Sequence, residues 1–74
     1  MAILTKEEKA QIINSHIRSL EFNKYNLEID IIQENAKETP STETINSINT
    51  QKSEVSDQIA ALTSELTKVN LLTE

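Results

Sequence analysis

Cysteine and glycine are absent from this sequence, proline occurs once, and the aromatic complement is one phenylalanine and one tyrosine. Without cysteine, no disulfide and no thiolate metal site staples the chain, and the framework of a small secreted scaffold is missing. A domain below about 80 residues rarely draws more than roughly 3 to 5 kcal/mol from a single core. At 74 residues, stability must therefore come from close helix packing or from a partner. Without glycine the tight turns of strand hairpins lose their usual residue, which argues against a β architecture, and glycine-rich loops that cradle phosphates are excluded. Basic residues are also scarce, 7 against 12 acidic ones, giving a formal charge of -5. That balance repels nucleic acid phosphates and anionic lipid surfaces, so neither nucleic acid nor a membrane is an expected partner. No apolar run approaches the roughly 18 residues of a membrane span, and Met1, Ala2, Ile3, Leu4 is too short for the apolar region of a signal peptide. The expectation is a soluble, cytoplasmic protein, with a virion as the other setting.

What the sequence does contain is helical periodicity. Thr5 precedes Glu8 by three residues, the spacing of a capping box, and marks a helix start. Beyond it Ala10, Ile13, Ile17, Leu20, Leu27 and Ile31 follow in steps of three and four, with Lys24 filling the gap. A second row, Ile45, Ile48, Val55, Ile59, Leu62, Leu66 and Val69, repeats the pattern with Lys52 in the gap. Between the rows the stripe falls on Glu34, Glu38 and Ser41, none of which buries comfortably, and Pro40 lies in the same stretch. Pro40 pushes Thr39 out of helical geometry, and Thr39 followed by Pro40 reads as an N-cap with proline at the first helical position.

These features predict an all-α fold: an antiparallel two-helix hairpin, a helical coiled coil that associates into a four-helix bundle or larger helical assembly. One domain covers 1–74, with helix one over about 5–37, a turn over about 37–40 and helix two over about 40–72. The hairpin core comprises Ile13, Ile17, Leu20, Leu27, Ile31, Ile48, Val55, Ile59, Leu62, Leu66 and Val69, paired so that facing residue numbers sum to 79. The heptad phase runs unbroken through the turn, so a single long kinked helix in a parallel coiled coil fits the same pattern. Pro40, the polar gap around it and the matched arms favour the hairpin.

Helix one carries a second apolar row, Phe22, Tyr25, Ile29, Ile32 and Ala36, roughly 150 degrees around the helix from the first. A lone hairpin leaves this row facing water as a contiguous patch, which soluble monomers rarely do. It is the candidate protein interface, with Phe22 and Tyr25 as anchors. The outer face of helix two is dominated by Ser, Thr, Asn and Gln, mediocre helix formers, so that helix depends on packing. Lys24 has Glu21 and Glu28 at ion-pair spacing. Asp30, Glu34 and Glu38 read as a solvated acidic face rather than a cation site, since neither a calcium loop nor a Glu-x-x-His pair is present. His16 has no second ligand at metal spacing and reads as a surface or boundary residue.

No catalytic residue, cofactor, metal or small-molecule substrate is expected, because two helices offer no concave pocket in which a nucleophile, base and oxyanion site converge. The plan of a short helical hairpin with a proline-containing turn resembles that of secretion-needle subunits, small regulatory adaptors and minor virion proteins of bacteriophages, although no diagnostic motif accompanies it. The expected function is non-enzymatic protein-protein interaction or structural assembly, with the chain itself as partner (homodimer or higher). The alternative is a small regulatory adaptor or inhibitor, phage-encoded or bacterial in texture, that lays the same row on a larger host protein.

Overall fold

The structure, a computed structural model, describes residues 3–72; Met1, Ala2, Thr73 and Glu74, the ends of the expected 1–74 domain, lie outside the described residues. Two α-helices fold back on one another: α1, Lys6–Asn35, and α2, Thr42–Asn70. Thirty and 29 residues long, each spans about 45 Å at 1.5 Å per residue. The molecule measures 60 × 14 × 14 Å. One helix from Lys6 to Asn70 would be roughly 100 Å long, so the hairpin, not the long kinked helix, is the fold.

The start of α1 follows from the capping box. Thr5 Oγ1 accepts from the Glu8 N–H at 3.1 Å while the Thr5 N–H donates to Glu8 Oε1 at 2.9 Å. The bond from the Thr5 N–H, and after it the Thr5 hydroxyl, hold the Glu8 carboxyl below its ordinary range. With no glycine to enter the left-handed region, α1 ends in right-handed geometry at Ala36 (φ -79, ψ -11), and no described residue has positive φ. Its last carbonyls are taken up by tightened bonds, Ala36 N–H to Gln33 O and Lys37 N–H to Glu34 O, both 3.2 Å.

Both helices are shorter at the turn than the spacing predicts, and the connection runs 36–41. The cap of α2 differs as well. Ser41, not Thr39, is the N-cap: it is extended (φ -87, ψ 111) and its Oγ accepts from the Thr44 N–H at 3.2 Å. Pro40 therefore sits before the cap and stiffens the entry to α2, rather than occupying its first turn.

The seam lies where the apolar rows meet. Ile13, Ile17, Leu20, Leu27 and Ile31 of α1 are half-buried, as are Ile48, Val55, Ile59, Leu62 and Leu66 of α2, while Val69 is 5 % exposed and is the only apolar residue fully buried among those described. Ala10, Ile45 and the two lysines of the rows are likewise half-buried. Lys52 Nζ reaches across the seam to Glu28 Oε1 at 3.7 Å, a pair whose numbers sum to 80, one away from the expected register. Glu28 thus turns to the opposite helix and not to Lys24, and neither expected pair of Lys24, with Glu21 or with Glu28, closes to within 4.0 Å. The pair is partly solvated and its 3.7 Å separation is long, so it marks register more than it adds stability.

Because the seam is one residue row deep on each side, single truncations there are costly relative to the whole. Leu62→Ala is expected to lower unfolding free energy by about 2 kcal/mol, the low end for a large-to-small change because Leu62 is only half-buried. Ser64→Ala, on the exposed face, should change it by under about 0.5 kcal/mol. Urea unfolding of the two variants measures the contrast.

Candidate interaction surface

Two features on α1 are candidates for function: the outer apolar row and the acidic residues near the turn. In the outer row Phe22 is 67 % exposed, Tyr25 63 % and Ile32 62 %. Ile29 is half-buried, and Ala36, exposed, forms the cap that ends the helix. Phe22 and Tyr25 flank a shallow concavity of about 220 Å³ together with Arg18, Glu21 and Asn26, all from one face of α1. An aromatic side chain offers 150 to 250 Å², so at these exposures the two rings alone leave on the order of 250 Å² in contact with water. The helix exposes this row because its first row already meets α2 on nearly the opposite side, and among the described residues no third element covers it.

The turn departs from expectation. Glu34 is 7 % exposed and not part of a solvated face, whereas Asp30 and Glu38 are exposed. Its burial is tolerated because both carboxylate oxygens are engaged. Oε2 accepts from the Ser41 N–H at 2.9 Å, and Oε1 meets Lys37 Nζ at 3.0 Å. The Ser41 backbone bond, then the Lys37 side chain, hold the Glu34 carboxyl below its ordinary value of 4.5. A carboxylate at the end of α1 faces the negative end of that helix dipole, an arrangement offset here by the ammonium and by the positive N-terminus of α2. The result is a clasp joining the last turn of α1 to the cap of α2. Sequence spacing could have pointed to it only as an acidic residue seven positions before a Ser cap.

Other chemistry is sparse. His16 is exposed. Among the described residues no group of three His, Cys, Asp or Glu side chains converges to hold a metal ion, and apart from the ion pairs Glu34–Lys37 and Glu28–Lys52 the side-chain hydrogen bonds run to backbone groups. On α2 the hydroxyls of Thr50, Thr63 and Thr67 are tied back to carbonyls four residues earlier, at 3.0, 2.8 and 3.1 Å. No described helix is long and apolar enough to cross a membrane. An open groove between the helices, lined by Asn23, Asn26, Gln51, Glu54 and Gln58 over Leu27 and Val55, is polar and shallow. At the open end of the hairpin Leu4, Ile12, Ile13 and Val69 line a smaller apolar dimple, a feature the sequence reading had not singled out.

No protein-family model, curated protein or solved structure matches this chain.

The clasp generates a pH dependence of defined sign. An unfolded Glu34 titrates near 4.5 and the folded one below that, so its stabilisation is present above about pH 4.5 and is lost as pH falls through the folded value. Glu34→Gln should lower the melting temperature at pH 7 and approach wild-type behaviour at pH 3, while Glu38→Gln, on an exposed residue, should change little at either pH. Thermal melts followed by circular dichroism test this; a wild-type advantage over Glu34→Gln that persists undiminished at pH 3 would contradict it.

Proposed function

We propose that the protein is a non-enzymatic structural or assembly protein whose hairpins self-associate through the outer row of α1. The observation that carries this reading is the exposure of Phe22, Tyr25 and Ile32, three large apolar side chains more than 60 % accessible on one helix face. Solvent-facing aromatics in a contiguous row are the usual anchors of protein interfaces.

The shape of the molecule supports the same reading. A radius of gyration of 17.1 Å compares with about 11 Å for a globular chain of this length. The accessible surface of 5680 Å² compares with roughly 4,600 Å² for a globular monomer of the same mass. The excess, roughly 1,100 Å² per chain, exceeds the about 800 Å² that each partner loses in a standard protein interface. The -5 charge is low enough for like chains to approach at physiological ionic strength, where the Debye length is about 8 Å.

Size-exclusion chromatography with light scattering, run over a range of concentrations, tests the proposal. The expected result is a dimer or larger species that Phe22→Ser and Tyr25→Ser each weaken by on the order of 30-fold in dissociation constant, the effect of losing an interface anchor. Both side chains face solvent within the hairpin, so the substitutions leave its own seam untouched. A stably folded monomer at every concentration would overturn self-assembly and leave the docking of this row on a different protein as the reading to pursue.

A further inference from the structure

The inner row of α1 has a known occupant: α2 of the same sequence, at the register marked by Lys52 and Glu28. A second copy of the chain carries an identical α2. Two copies can therefore offer each other every seam contact that one hairpin makes within itself, and only the connection at 36–41 decides between the two pairings.

That connection is weakly committed to reversing the chain. Row positions seven apart run from Ala10 to Leu66 and pass through Glu38 without a change of phase. A helix continued through the connection would keep the rows of α1 and α2 on one face. A hairpin has no need of that continuity, since its turn is free to rephase one arm against the other. No described residue has positive φ, and at the end of α1 the Ala36 N–H still reaches Ile32 O, at 3.1 Å, in the helical pattern. Two groups oppose continuation. Pro40 has no N–H for the Ala36 carbonyl, its ring collides with that carbonyl in a helix, and it draws Thr39 out of helical geometry. Glu34 holds the Ser41 N–H, which a continued helix would direct to the Lys37 carbonyl.

We infer that the seam is exchangeable between copies: with the connection drawn out, two chains pair as an antiparallel two-stranded coiled coil in which α2 of each covers α1 of the other, and Pro40 is the main restraint that keeps the single chain a hairpin. The exchanged pair retains the register of the hairpin, with Lys52 of one copy meeting Glu28 of the other across a two-fold axis at the connection. Each continuous helix is roughly 100 Å long, against 60 Å for the hairpin. A parallel pair would instead set Lys24 and Lys52 each against its own copy and discard the seam contacts. The exchange uses the inner row alone. It is independent of association through Phe22 and Tyr25, which leaves each hairpin closed.

A distance within one chain tests this. Ser19→Cys and Ala60→Cys, both at exposed positions facing each other across the seam, take spin labels in a chain with no other cysteine. Labelled chains are refolded from urea with an excess of unlabelled chains of the same turn sequence, over a range of concentration, and double electron-electron resonance reads the separation. With Pro40 in place the expected distance is under about 30 Å, that of labels on two helices side by side. Pro40→Ala should add a distance of roughly 60 Å, the span of continuous helix between the labels. That population should grow with concentration, the exchanged dimer being strengthened by on the order of a thousandfold because both chains regain the missing helical turn. Pro40→Ala chains that are helical by circular dichroism yet give only the short distance at every concentration would overturn the inference. A dominant 60 Å distance with Pro40 in place would overturn the role given to that residue. Two alanines inserted after Thr39 in the Pro40→Ala chain put the α2 row out of phase along a continuous helix and should restore the short distance alone; persistence of the long one would remove phase continuity as the basis of exchange. Because the distance is read within a chain, failure of the outer-row proposal does not alter it, and the two proposals fail separately.

Discussion

Two helices laid side by side share a single line of contact, and that line must carry nearly all the burial this chain achieves. Each row residue is covered from one direction only, which is why the seam residues are half-buried and, among the described residues, only Val69 of the apolar side chains and Glu34 of the polar ones are shielded from water. Everything else follows from this geometric limit. The outer faces of both described helices are left in contact with water. The limit also explains why lysines are accepted in the rows: a half-buried position lets the methylene stem pack while the ammonium reaches out, as Lys52 does toward Glu28.

The turn solves a separate problem, reversing the chain without glycine. The end of α1 tightens in right-handed geometry, Pro40 directs the chain into extended backbone, and Ser41 caps α2. Glu34 joins the two ends by accepting from the Ser41 N–H while paired with Lys37. A carboxylate can occupy that site only because a backbone donor and an ammonium arrive with it, so the clasp is a property of the folded turn and not of the local sequence.

That distinction decides how much was legible beforehand. The two rows, and with them the hairpin, were visible because seam packing imposes a strict period on the sequence, and the outer row of Phe22, Tyr25 and Ile32 was visible for the same reason. Glu34 was misjudged because residue type alone argues against burying a carboxylate; its partners lie three and seven positions away and meet it only after the chain turns. The cap was misplaced because Thr39 and Ser41 are both good N-caps and Pro40 suits a first helical position. What favours Ser41 is a tertiary contact, its N–H held by Glu34, which no local propensity encodes. Nor did periodicity reveal that Glu28 prefers Lys52 across the seam to Lys24 on its own helix.

The outer face of α1 is the feature on which the functional account turns. A rod that has spent one face of α1 on its own seam still holds an aromatic row on the other, and the proposed assembly covers that row with an identical one. Burial missing from the monomer is then supplied by the dimer, and folding and association become linked. Linkage of this kind has a direct thermodynamic signature, because a dissociable dimer is stabilised by mass action. The decisive measurement is the melting temperature of the unmodified chain by circular dichroism across a hundredfold range of concentration. The account predicts a rise of several degrees from the dilute to the concentrated sample. A melting temperature independent of concentration, for a chain shown to be monomeric at both ends of the range, would contradict it.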